Sequence, residues 1–264
     1  MTLPFSPEEA DTLFEQFPVF AAKRSQELSK IFRPYIEITD KYARLVSRLT
    51  YLLGHIEPAN TQDKVVRDLT ADVFDFLYES RDLIAGGKLI FAYPLARRAY
   101  ESLSLLNLCL LEENWADKWQ KGKEIPNGVV RKHLSEHPMG EPLEDLKKLY
   151  NFFCTATHPN RGMIGERRLG EGNKYVLGMI GIPDIHSIAE YCIIHIELWH
   201  WFMLSVTFFY TDKLLSHDPT YLIPNGIYDQ TIKEGNLLKK WLVESFSQLE
   251  KEQVEIKAQQ DRMS

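Results

Sequence analysis

Residues 88 to 113 read as one helix that is apolar on nearly every side. At about 100° per residue, Ala92, Leu95, Ala96, Ala99, Leu103, Leu106 and Leu110 fall in one narrow stripe, and its alanines leave room for a close neighbour. The opposite side is ordinarily polar, but here it carries Leu105 and Leu108 as well. A helix that is hydrophobic all round has to be surrounded, so the rest of the chain must supply partners on several sides. The same far side also holds Arg97, Arg98 and Glu101. Buried ions without partners cost several kcal/mol each, so the spacing predicts that Arg98 or Arg97 pairs with Glu101, three or four residues on. Pro94 leaves two starts open: a helix from Lys88 that kinks at the proline, or one that begins near Tyr93.

A second stretch, residues 188 to 210, is long enough to cross a bilayer. Glu190, His195, Glu197 and His200 interrupt it, and ionisable groups near the centre of a span are rare and expensive. A buried core helix is therefore expected, and no membrane partner. Glu190, Glu197 and His200 share one strip and form a secondary polar cluster, whereas His195 points away from them. Glu197-x-x-His200 has the spacing that a ferritin-like di-iron site uses in each of two helices. No second Glu-x-x-His occurs in the chain, so no metal is expected and these groups should pair inside the bundle.

The remaining segments are also helical. Ser6-Pro7-Glu8-Glu9 is a helix-start signature, with Pro18 expected to break or kink the first helix. Ile38, Tyr42, Leu45, Leu49 and Leu52 mark a helix from about Tyr35 to Leu53. Asn60 begins an N-cap ahead of Val65, Val66, Leu69, Val73, Phe76, Leu77 and Ile84, and Gly86-Gly87 ends that helix. Trp115 and Trp119 suggest a short amphipathic turn, and another short helix fits Pro126 to Glu136. After Gly140-Glu141-Pro142, Leu143, Leu146, Tyr150 and Phe153 form the buried side of a helix that Pro159 stops just after His158. Glycines punctuate residues 161 to 185, where Met163-Ile164 and Tyr175-Val176-Leu177 suit a small hairpin. A last helix from about Gln230 carries Leu237, Leu238, Trp241, Leu242 and Leu249 before a polar run from Glu250 to Arg262. The expected fold is all-α, a multi-helix bundle around a central buried helix with a small Gly-rich loop or hairpin insertion. It divides into N-terminal helices (1–59), a helical core with the insertion at 161–185 (60–215), and a C-terminal helix with a polar tail (216–264).

A net charge of -6 argues against general binding to nucleic acid or anionic membrane, although it leaves room for a local basic site. Cys109, Cys154 and Cys192 are odd in number and sit in apolar helical stretches, which favours free thiols in a reducing compartment over disulfides or zinc. No basic n-region or apolar h-region opens the sequence, so a cytoplasmic location is expected. No Walker or dinucleotide spacing is present, and no cofactor is expected.

The candidate site joins Arg98 and Glu101 to His158. An imidazole moves protons near neutral pH, an arginine such as Arg98 or Arg161 stabilises charge on a phosphoryl group, and Glu101 would orient an arginine. In the Gly-rich segment Arg161, Arg167 and Arg168 suit phosphate binding through guanidinium and backbone N–H groups. Carboxylate clusters suited to Mg²⁺ are not evident, which speaks against two-metal chemistry. A histidine in a last helical turn is also favoured by the helix dipole alone.

The order of these features, an arginine and a glutamate on one central helix followed by a helix ending in a histidine, resembles uncharacterised bacterial all-helical proteins of the HEPN superfamily over roughly residues 60 to 215. In nuclease members an arginine stands within two turns of a histidine at the end of one helix, usually at a dimer interface, and the pair acts as a metal-independent ribonuclease that leaves cyclic-phosphate ends. The resemblance puts His158 in the histidine place and implies RNA or a phosphate-containing ligand and a homodimer. No arginine precedes His158 at the family's spacing; Lys147, Lys148 and Asn151 are the nearest polar residues, and Arg161 follows. The second reading is a non-catalytic helical binding or scaffold protein with a protein partner, of the kind found in stress or phage-defence systems. A solvent-open pocket lined by Arg97, Arg98, Glu101 and His158 would favour a ligand binder or enzyme; full burial with every partner satisfied would favour a scaffold.

Overall fold

The structure, a computed structural model, describes residues 7–138, 140–157, 168–169, 174–175, 185–217 and 225–263. Among the described residues the chain is all-helical apart from one two-residue ladder. The helices are α1 (Pro7–Ile31), α2 (Arg33–His55), α3 (Thr61–Ala85), α4 (Leu89–Leu111), α5 (Glu113–Gln120), α6 (Asn127–Glu136), α7 (Leu143–Thr157), α8 (Ile185–His217) and α9 (Asn225–Met263). Strands β1 (Arg168–Leu169) and β2 (Lys174–Tyr175) pair antiparallel, Arg168 opposite Tyr175 and Leu169 opposite Lys174. Met163, Ile164, Val176 and Leu177, the other residues expected in a hairpin, lie outside the described residues.

Local signals explain most boundaries. Pro34 stands in the first turn of α2, where its missing N–H costs nothing. Asn60 caps α3 by accepting from the Asp63 N–H at 2.9 Å, and the Asp63 carboxylate accepts from the Ala59 N–H at 2.8 Å, so two end groups are satisfied reciprocally. Gly87 takes a left-handed φ of 72° between α3 and α4. Pro18 does not break α1, which runs through it. Pro94 likewise sits inside α4, which begins at Leu89, between the two expected starts.

Packing follows the apolar stripes. Helix α4 pairs with α3 along its length, and α5, α6, α7 and α8 also reach it. Of its predicted stripe, Ala92, Ala96, Ala99, Leu103, Leu106 and Leu110 are buried and Leu95 is half-buried. Tyr100 of α4, Phe153 of α7 and Tyr191 of α8 meet as an aromatic cluster, with ring centroids 5.5 Å apart for Tyr100 and Phe153 and 6.4 Å for Phe153 and Tyr191. Helix α8 departs from expectation. Ile188, Cys192, Ile196, Trp199 and Phe202 are buried, but the other side leaves Leu204, Phe208 and Phe209 exposed. By length and composition α8 passes as a membrane span, and half of the qualifying window is buried inside the protein.

Helix α9 begins at Asn225, earlier than expected, and lies against α2 and α8. Gly235 sits at the α2 crossing, where a Cβ would stand 2.7 Å from the Tyr42 hydroxyl.

Inside α3, Thr70 is fully buried and its hydroxyl has no hydrogen-bond partner among the described residues. A hydroxyl stripped of water without compensation is costly. Thr70→Val is therefore expected to raise stability by about 1 kcal/mol, read from the urea unfolding midpoint; a loss of stability would mean that the hydroxyl has a partner after all.

Candidate functional site

Arg97, Arg98 and Glu101 divide between two sides of α4. Arg97 closes on Glu101 at 2.9 Å, one turn along the helix. Its Nη1 donates to Thr157 Oγ1 at 2.9 Å and its Nη2 approaches Tyr150 Oη at 3.4 Å, so the guanidinium ties α4 to the end of α7. The Thr157 hydroxyl itself donates to the Phe153 carbonyl at 2.9 Å, which fixes its direction. Burial works against the charge on Arg97, but the Glu101 hydrogen bond and carboxylate outweigh it and hold the pKa above the ordinary arginine value. A second arginine, Arg131 of α6, stacks over the Tyr150 ring at 3.7 Å. Its Nη1 is buried with no hydrogen-bond partner among the described residues.

Arg98 faces the other way, toward Asp72 of α3 at 3.4 Å, and Ser102 donates to the same carboxylate. These groups belong to a cleft of about 590 Å³ between α3, α4 and the α5–α6 connection. Its lining includes Asp68, Asp72, Glu101 and Glu124, with Arg98, Lys123 and Trp119. Asp68, Arg98, Lys123 and Glu124 are exposed, so the cleft reaches solvent. Glu101 belongs to both sides, lining the cleft while accepting from Arg97.

The other candidates fare differently. His158, Arg161 and Arg167 lie outside the described residues, whereas Arg168 lies in β1. The secondary cluster is brought together only in part. Glu197 pairs with Lys239 of α9 and stands 4.0 Å from His200, while Glu190 is exposed two turns away, roughly 10 Å along the helix axis. Among the described residues no group of three His, Cys, Asp or Glu side chains is placed to hold a metal. The Cys109 thiol is pushed up to about 12 by burial and Cys192 well above its usual range, so neither is a thiolate nucleophile near neutral pH.

Sequence reasoning missed a buried network around His195. Tyr35 Oη lies 2.8 Å from its Nδ1, and the Leu77 carbonyl and Ser80 Oγ each lie 3.0 Å from its Nε2. A carbonyl only accepts, so Nε2 carries the proton and Nδ1 accepts from the tyrosine. Burial pushes the imidazole down to about 3, assisted by Arg81 and opposed by the Leu77 carbonyl. A Ser–His pair in this setting is sealed from substrate: Tyr35 and His195 are 1 % exposed and Ser80 is not exposed at all. Tyr35 and His195 are 160 residues apart, and no local signal joins them.

Fold and site together define a helical bundle with a mixed-charge, solvent-reaching cleft. Compared with protein-family models, with characterised proteins and with solved structures, the chain has no significant match.

Proposed function

We propose that this chain is a non-catalytic helical binding protein whose cleft beside α4 takes a ligand bearing an exposed positive charge, an amine or a guanidinium. The observation that carries this reading is the pairing within the lining: Asp68, Asp72 and Glu101 are held by Arg67, Arg98 and Arg97, and Glu124 stands exposed on the same cleft as the Trp119 ring. An exposed carboxylate at the mouth of a cleft attracts a cationic group. Trp119 adds an aromatic surface on which a cation can rest. On this reading α4 is the central helix of the bundle.

A second reading rests on one contact. Arg97 bonds Thr157, which precedes His158 in the sequence, and a HEPN-like ribonuclease site would need an arginine and a histidine together. A homodimer, an RNA substrate and a cytoplasmic location belong to that reading.

One set of binding and cleavage assays separates them. Titration with spermidine and with a short arginine peptide should quench tryptophan fluorescence, and Asp68→Asn combined with Glu124→Gln should weaken the effect roughly tenfold, about 1.4 kcal/mol from two exposed carboxylates. Equal affinity of wild type and double variant would sink the cationic-ligand reading. In parallel, cleavage of structured and unstructured RNA in EDTA by wild type, absent in His158→Ala, would establish the second reading instead.

A further inference from the structure

A trough that shares no lining residue with the cleft runs along α8. Two cavities of about 350 and 320 Å³ meet along α8 and have Glu141, Leu146, Trp201 and Leu204 in common, so they form one continuous groove. Its α8 wall shows Glu197, Trp201, Leu204 and Phe208 at spacings of four, three and four. That repeat places the four side chains in one seam about three turns, roughly 16 Å, long. Leu204 is 47 % exposed and Phe208 65 %, beside Phe209 at 38 %. Scattered apolar residues on a surface need no explanation, but a grooved, contiguous run of this kind marks an interaction surface.

The rim supplies the sign of the partner. Glu141, Asp145 and Glu197 stand along the groove, and no lysine or arginine is among its described lining residues. Lys148 and Lys239 already offset the charge of Asp145 and Glu197, so the sign of the rim is set by Glu141, which lies where the two cavities join. We propose that this trough is a docking site for a basic amphipathic helix, which lays apolar residues spaced four and three apart against Trp201, Leu204 and Phe208 and presents a lysine or arginine to Glu141. Such a helix enters by the helix-in-groove mode, with apolar anchors supplying affinity and the rim charges supplying discrimination. An anionic membrane surface meets the same rim with the wrong sign.

The test uses the full chain and two synthetic peptides of about 14 residues, long enough to fill the groove. Both carry leucines at the same helical positions; one has lysines and arginines elsewhere, the other glutamates. By fluorescence anisotropy the basic peptide should bind at least tenfold more tightly than the acidic one. Phe208→Ser should weaken it at least tenfold with an unchanged circular-dichroism melt, and Glu141→Lys should narrow the difference between the peptides. Equal binding of both peptides, or no effect of Phe208→Ser, overturns the proposal. So does a dimer that Phe208→Ser dissociates, which assigns the groove to a second copy, or binding to phosphatidylserine vesicles that Phe208→Ser abolishes.

Discussion

Replacing Phe153 with alanine is expected to lower the stability of the chain by about 3–5 kcal/mol, the range for deleting a fully buried aromatic ring. The ring is completely buried and lies against Tyr100, Phe152 and Tyr191, so three elements lose contacts at once and the backbone has little freedom to collapse into the space. The consequence reaches beyond stability. Helix α7 holds Thr157 against Arg97, and the Thr157 hydroxyl hangs from the Phe153 carbonyl, so a loosened α7 also releases the link between α4 and the end of α7. Urea unfolding followed by circular dichroism measures the cost. Phe153→Leu, which refills part of the volume, should recover more than half of it. A Phe153→Ala loss below about 1 kcal/mol would mean that the cluster repacks, contrary to its complete burial.

The second large effect is a pH dependence set by His195. Its imidazole titrates at about 3 in the folded chain because burial excludes the charged form, against roughly 6.5 when unfolded. Above the unfolded value both states are neutral and the histidine favours neither. Below it the unfolded chain takes up a proton that the folded chain refuses, so stability falls as pH falls, and the loss levels off near the folded value. At about pH 5 the contribution is roughly 2 kcal/mol, from 1.5 units at 1.36 kcal/mol each. The measurement compares urea unfolding at about pH 7.5 and about pH 5 in wild type and His195→Gln, whose amide does not titrate and retains a donor and an acceptor. Wild type should lose about 2 kcal/mol more than the variant over that interval. His200 shifts in the same direction through burial, but it is present in both proteins and cancels. Identical pH dependence would show that His195 is reached by water or protonated in the folded state.

The all-helical architecture was readable because nearly every helix of the core has one buried stripe. Ile38, Tyr42, Leu45 and Leu49 on α2, and Val65, Val66, Leu69, Val73, Leu77 and Ile84 on α3, are buried as their period requires, while Leu52 and Phe76 are half-buried at the edge of the same stripes. The pairing of an arginine with Glu101 was readable too, because residues four apart on a helix are neighbours whatever surrounds them. The division of Arg97 from Arg98 was not. Their partners, Thr157 and Asp72, come from other helices, and sequence spacing says nothing about those approaches. Helix α8 hid its trough for a different reason. It is apolar on almost every side, so the exposed seam of Trp201, Leu204 and Phe208 has the same composition as the buried face opposite. Only the four-three-four spacing carried a signal, and it is easily lost in a run so rich in aromatic residues. Glu190, Glu197 and His200 share a strip in sequence, but the strip is longer than the contact between its members, and Glu197 finds its cation on another helix, in Lys239 of α9.

The close seat of α9 on α2 also governs where force on the C-terminal helix is felt. At Gly235 the helix backbone rests against the Tyr42 ring, whose centroid is 6.5 Å from that of His200. His200 stands beside Glu197, and Lys239, one turn beyond Gly235, grips the same carboxylate. Helix α9 therefore touches the acidic end of the trough twice, once through a ring and once through an ion pair. A tug on the C-terminus loads that end of the groove first, and it reaches the aromatic cluster only through α8, which carries both Glu197 and Tyr191.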